Sequence, residues 1–310
     1  MNISRLASTL TFAIFLVFFG CKEQPIENEE INQYQLSLAQ WSLHKELHEG
    51  RLDNFDFIRI ADSLNFEGVE FVNQFFMDRA GDSIFLTQLK DTLLVYNITP
   101  LLIMIDGEGD LANPNIEESE IAITNHYKWI DAAQYLGCHS IRVNLFGDGD
   151  SISVTKAAIN SLKKMCSYAS TKNINILVEN HGGLSSNGDW LSSVMDSVRM
   201  PNCGTLPDFG NFCLKWENGG RWGSNCLEAY PIYKGIEELM PYAFGVSAKS
   251  YEFDAKGNEV NIDYDKMLSI IKKSNYEGFI GVEYEGTGLS SIEGIVATKN
   301  LLIKSFSKES

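Results

Sequence analysis

From residue 35 onward, short apolar runs alternate strictly with longer amphipathic stretches, and this alternation narrows the possible folds more than any other feature of the chain. The apolar runs are Leu36 to Trp41, Gly68 to Val72, Thr99 to Ile105, Ser140 to Phe146, Ile174 to Asn180, Cys203 to Asp208, Phe244 to Lys249 and Phe279 to Tyr284. Helix-period stretches follow them near 53–64, 84–95, 115–136, 152–171, 187–198, 230–240, 264–274 and 290–306. Parallel strands need long crossovers, usually helical, so this order reads as an α/β fold with a parallel sheet. Eight repeats predict a single closed (β/α)8 TIM barrel over residues 35–308. An open doubly wound sheet would want a Gly-rich phosphate loop after its first strand. Here the first run leads into Trp41-Ser42-Leu43-His44, and neither GxGxxG nor a Walker sequence occurs.

The first twenty residues differ from the rest. Arg5 precedes an apolar run from Leu10 to Phe19, which ends at Gly20-Cys21. A bilayer core of ~30 Å needs roughly 20 apolar residues, so this run reads as the core of a signal peptide over residues 1–20. Gly20 before Cys21 resembles the lipobox of bacterial lipoproteins, which implies lipidation of Cys21, export and a membrane anchor. Residues 21–34 are polar and acidic, as a flexible tether would be. Six cysteines occur, at 21, 138, 166, 203, 213 and 226. In an exported chain a disulfide among Cys203, Cys213 and Cys226 is expected, with Cys213–Cys226 the first choice. Small buried thiols are the competing reading. No CxxC occurs, which argues against a thiolate zinc site.

Acidic residues number 41 against 25 basic, a formal charge of -16 that repels nucleic acid. In a (β/α)8 barrel the reacting groups stand at the C-terminal ends of the strands. Those ends carry Gln40 and His44, Glu70 and Asn73, Asp106, Arg142 and Asn144, Glu179 and His181, Asp208, Ser247 and Lys249, and Glu283 and Glu285. Residues two apart on a strand share a face, so each of the last-named pairs points to one side. Glu179, Asp208 and Glu283 come from three strands yet should converge. Three such carboxylates repel one another and require protons, a cation or a metal. Oxygen ligands suit Mg²⁺ or Mn²⁺, and an added imidazole shifts the preference toward Zn²⁺ or Co²⁺.

The segments Gly68-Val69-Glu70, Ile176-Leu177-Val178-Glu179-Asn180-His181, Pro207-Asp208-Phe209-Gly210-Asn211 and Gly281-Val282-Glu283-Tyr284-Glu285 resemble the xylose isomerase-like TIM-barrel superfamily, in particular its sugar phosphate isomerase/epimerase branch. The resemblance runs through the whole chain after residue 35, in the family's order. It implies a divalent metal held by Glu, Asp, His and Glu, of which Glu179, Asp208 and Glu283 match the acids. It also implies that the outer two acids, Glu179 and Glu283, move a proton next to a sugar carbonyl. The family's His aligns with Ser247, and a second position that is often His is Asn211. Two readings of this gap follow. Either Ser247, a water or His181 completes a metal shell, or the Lys249 ammonium replaces the metal and steadies an enediolate oxygen.

A small carbohydrate is the implied substrate. Glu70, Arg142, His181, Asn211 and Trp41 are the candidate binding residues, and Phe75, Trp216 and Trp222 are further rings on which a sugar could stack. Arg142 is either an anchor for a phosphate or carboxylate or a buried partner of Glu70 or Glu179. The same proton abstraction would serve a lyase or hydrolase on 3-keto-glycosides, and a degenerate barrel would only bind glycans. The superfamily's DNA-repair endonucleases need a His-rich cluster and a basic face, which five histidines and the acidic charge do not supply.

Overall fold

The computed structural model describes residues 34–221 and 224–308. The expected signal peptide, Cys21, the tether up to residue 33 and Trp222 lie outside the described residues. Among the described residues there are ten strands: β1 (Leu36–Ala39), β2 (Gly68–Val72), β3 (Thr99–Met104), β4 (Ser140–Val143), β5 (Asn175–Glu179), β6 (Cys203–Leu206), β7 (Cys213–Trp216), β8 (Cys226–Ala229), β9 (Val246–Ser250) and β10 (Ile280–Tyr284). Eight of them form one sheet in the order β6-β5-β4-β3-β2-β1-β10-β9, with every neighbouring pair parallel. Isolated parallel bridges, Thr205–Ala243 and Asp208–Ser247, bring the two edge strands together. The Ser247 amide donates to Pro207 O (2.9 Å), and the Phe209 amide donates to Ser247 O (3.1 Å). The expected (β/α)8 barrel is therefore the fold.

The outer helices start and stop where local chemistry dictates. Asp53, Asp82, Asn115, Asp150, Asn187 and Asp263 each cap a helix, their side chains accepting first-turn amides. Just past the helices Asn54–Ser63, Ser83–Val95, Ile116–Leu136, Ser151–Ser170 and Tyr264–Lys273, the chain turns through left-handed residues: Asn65, Asn97, Gly137, Asn173 and Asn275. These are the residue types that adopt positive φ most readily, and they release the chain toward the next strand.

Most of the core lies between sheet and helices, around Phe57, Phe71, Trp129, Ile141 and Ile176. Inside the barrel a smaller apolar group of Ala39, Val72, Leu102, Met104, Leu177 and Leu206 fills the space with buried polar residues. The first strand ends at Ala39, short of Trp41, because residues 40–43 turn into a 3-10 helix. Gln40 holds that turn: its Oε1 accepts from the Val72 amide (2.8 Å), and its Nε2 donates to Asn54 Oδ1 (2.8 Å). The antiparallel β7–β8 hairpin is not among the expected strands, although its crosslink is the expected one: Cys213 and Cys226 are disulfide-bonded.

Candidate active site

The strand-end residues form one continuous polar network. On one side, Arg142 reaches Asp106 (Nη1–Oδ1, 2.9 Å) and Glu179 (Nε–Oε2, 2.8 Å). The second contact is an ion pair whose N–H does not align with the oxygen. Asn144 Nδ2 donates to Asp106 Oδ1 (2.7 Å), which orients the amide so that Asn144 Oδ1 accepts from His181 Nδ1 (2.8 Å). The proton of the His181 ring is thereby assigned to Nδ1 and the lone pair to Nε2. Burial, together with the nearby Arg142 charge, lowers His181 to about 3, so the ring is neutral. Burial alone would raise Asp106, but the Arg142 guanidinium outweighs it and holds this carboxyl well below the usual range.

On the other side, Lys249 Nζ lies 3.1 Å from Glu283 Oε1, 3.4 Å from Glu285 Oε1 and 3.6 Å from Asp208 Oδ2. Ser247 Oγ donates to Asp208 Oδ2 (2.7 Å) and stands 3.3 Å from Glu283 Oε2. Asp208 Oδ1 accepts the amides of Gly210 and Asn211, both at 2.8 Å, and Asn211 Nδ2 donates to Glu179 Oε1 (2.9 Å). Asn211 thus links the two halves. Glu283 is pushed up to about 8, because burial and the charges of Glu285, Asp208 and Glu179 outweigh the attraction of Lys249. Lys249 stays firmly charged, since its three acidic neighbours outweigh its burial.

A cavity of about 800 Å³ opens above this network. Glu283, Arg142, His181, Asn211 and Trp41 line it, together with Asp106, Asn144, Glu285 and Phe146. Glu179, Asp208, Ser247 and Lys249 are buried behind that lining, and Glu70 is also outside it. Glu70 sits in the barrel interior, where its Oε1 accepts from Ser37 Oγ (2.7 Å) and its Oε2 has no hydrogen-bond partner among the described residues. It is therefore not placed as a substrate contact. Arg142 partners Glu179 rather than Glu70, and Trp41 stacks on His44 with ring centroids 4.8 Å apart. Trp216 and Phe75 do not line the cavity, and Trp216 packs over Gly182.

Arg221, on the segment between β7 and β8, is a part of the site that sequence reasoning missed. It pairs in fork fashion with Asp110 (2.9 and 2.5 Å), and its guanidinium lies 4.5 Å from the Phe146 ring centroid. The only hint in the sequence is its position between two cysteines in a Gly-rich insertion.

The donor set does not fit the divalent cation that the family resemblance implies. Five of the six oxygens of Glu179, Asp208 and Glu283 already face a protein donor or cation, Glu179 Oε2 through an ion pair alone, and Ser247, whose one proton goes to Asp208, brings no imidazole. Among the described residues no group of three or more His, Cys, Asp or Glu is arranged to hold a metal ion.

A parallel eight-stranded barrel with carboxylates gathered at its strand ends defines the class of protein. Residues 58–304 match the family described as xylose isomerase-like TIM barrel, and the chain belongs to that family. Among solved structures, an L-ribulose 3-epimerase superposes with a TM-score of 0.68 at 11% identity, covering 89% of this chain and 97% of its own. The IOLI protein with a bound zinc atom superposes with a TM-score of 0.67 at 15% identity, covering 88% of this chain and 98% of its own. Among curated proteins, the C-glycoside deglycosidase alpha subunit of Arthrobacter globiformis is 33% identical over 55 residues. That match spans 18% of this chain and 16% of the relative's length.

Proposed function

We propose that the protein is a sugar isomerase or epimerase that moves a proton at a carbon beside a carbonyl, with Glu283 as the proton-transfer group. The observation that carries this reading is the Glu283 carboxyl, which lines the cavity beside Lys249 and which burial and its acidic neighbours push up to about 8. A base whose pKa lies close to the working pH combines useful strength with a useful ionised fraction. Glu179, one layer back, is clamped by Arg142 and Asn211 and keeps the guanidinium in place. Isomerisation on one face needs no second group. Inversion requires a proton donor on the opposite face, which His181, neutral and with its lone pair on Nε2, does not supply.

The substrate we infer is a small uncharged carbohydrate. Five carboxylates line the cavity against two arginines, Arg142 and Arg221, and both arginines are already paired with acids. Trp41 and Phe146 offer the apolar faces that sugar rings stack on. The lipobox-like segment supports export and anchoring to a membrane.

The local match to a C-glycoside deglycosidase subunit supports one further reading, cleavage of a glycoside, which we take to proceed next to a keto group. It begins with the same proton abstraction and ends with loss of the aglycone. The test is exchange of sugar C–H protons into D₂O, followed by NMR for wild type, Glu283→Gln and Glu179→Gln. Exchange by the wild type and its loss in Glu283→Gln are expected. Absence of exchange with any sugar offered would leave a glycan binder, and aglycone release would select the deglycosidase reading.

A further inference from the structure

We infer that the Lys249 ammonium takes the place of the family's divalent cation, as a fixed counter-charge, and that this site works without a metal. The inference rests on the reading of this barrel mouth as the reacting site. Its ground is the way the oxygens of the three matching acids are occupied. Lys249 and Ser247 meet at the same Asp208 atom, Oδ2, and Lys249 also reaches Glu283 Oε1, while Glu283 Oε2 lies 3.3 Å from Ser247 Oγ. Backbone amides hold the other Asp208 oxygen, and Asn211 with Arg142 holds Glu179.

The backbone register imposes this arrangement. Lys249 pairs with Glu283 and Ser247 with Gly281 along the β9–β10 ladder, while Ser247 bridges to Asp208 across the β6–β9 seam. A side chain two residues beyond Ser247 shares its face. It is also long enough to bring a charge to the acids that a shorter serine cannot neutralise. Lys249 is 1% exposed, and a charge so deeply buried is held only by its partners. An ammonium and a divalent ion cannot share these oxygens, because like charges a few ångströms apart in a buried site repel strongly. Lys249 does not line the cavity, so it acts as a positioning residue that gathers Glu283, Glu285 and Asp208.

The experiment is calorimetric titration of Mn²⁺ into the full-length, detergent-solubilised protein and its Lys249→Met variant. No saturable binding is expected for wild type. Lys249→Met should acquire one site, with affinity raised about a hundredfold or more by removal of the buried positive charge. Chelation with EDTA should leave wild-type C–H exchange unchanged. Saturable binding to wild type that Lys249→Met does not alter would overturn the inference, as would loss of exchange on chelation or absence of a site in a folded Lys249→Met. Should that variant fail to fold, Ser247→His decides: with Lys249 in place it should still bind no Mn²⁺, and saturable binding would overturn the inference. The titrations need no turnover, so they stand even if the proposed reaction fails.

Discussion

Replacing Glu70 by glutamine removes a proton-binding group from the barrel interior and keeps its shape. Burial, with a smaller contribution from Glu179, raises this carboxyl from 4.5 to about 7, against the opposing Ser37 hydrogen bond and Arg142 charge. In that interval the folded protein keeps a proton that the unfolded chain has released. The stabilisation is therefore fully present below pH 4.5 and disappears as the pH rises through about 7. At ~1.4 kcal/mol per pH unit, the interval is worth about 3 kcal/mol. The substituted amide binds no proton and still accepts from Ser37, so the Glu70→Gln variant lacks this pH dependence. The stability difference, wild type minus variant, should fall by about 3 kcal/mol between pH 4.5 and 8, equivalent to roughly 6 °C or more in Tm for a domain of this size. Urea unfolding followed by tryptophan fluorescence across that range measures it. A difference that stays flat with pH, or that grows in favour of wild type as pH rises, would refute the reasoning.

Because Glu283 must be ionised to accept a proton, the C–H exchange rate should climb with pH and level off above about 8. A profile flat from pH 6 to 9 would remove Glu283 from the role of base. A β-carbon at Gly281 would lie 2.4 Å from Glu70 Oε1, so Gly281→Ala should destabilise the barrel by about 1–3 kcal/mol, read from the same unfolding curves. No loss of stability would show that the Glu70 side chain has room to move aside. Cys21→Ser should shift the protein from the membrane fraction to the soluble fraction, as seen by blotting fractionated cells, and a variant that stays with the membrane would dispose of the lipid anchor.

The strands and helices could be read from the chain because most repeats carry their own punctuation. Buried runs stand between helices, six of which begin at Asp or Asn caps and five of which run into Asn or Gly turns. The face-sharing rule placed Ser247 with Lys249 and Arg142 with Asn144. Pattern alone could not rank depth, however. Glu70 and Glu283 look alike in sequence, yet one is enclosed in the barrel interior and the other lines the cavity. Nor could it choose between a metal and Lys249, which depends on where one ammonium ends among the acids. The pairing of Arg221 with Asp110 joins residues 111 positions apart, beyond the reach of any local period.

Seven seams of the barrel are continuous ladders, whereas the eighth, between β6 and β9, rests on two isolated bridges. Local opening favours the place where the fewest cooperative hydrogen bonds must break together. The amides of Phe209 and Ser247, which close this seam, are therefore the barrel amides expected to exchange fastest with solvent. Asp208 and Ser247 stand on opposite lips of the same seam. Opening of this seam would part Asp208 from the Ser247 hydroxyl, so breathing of the barrel here is expected to disturb the acidic cluster with it.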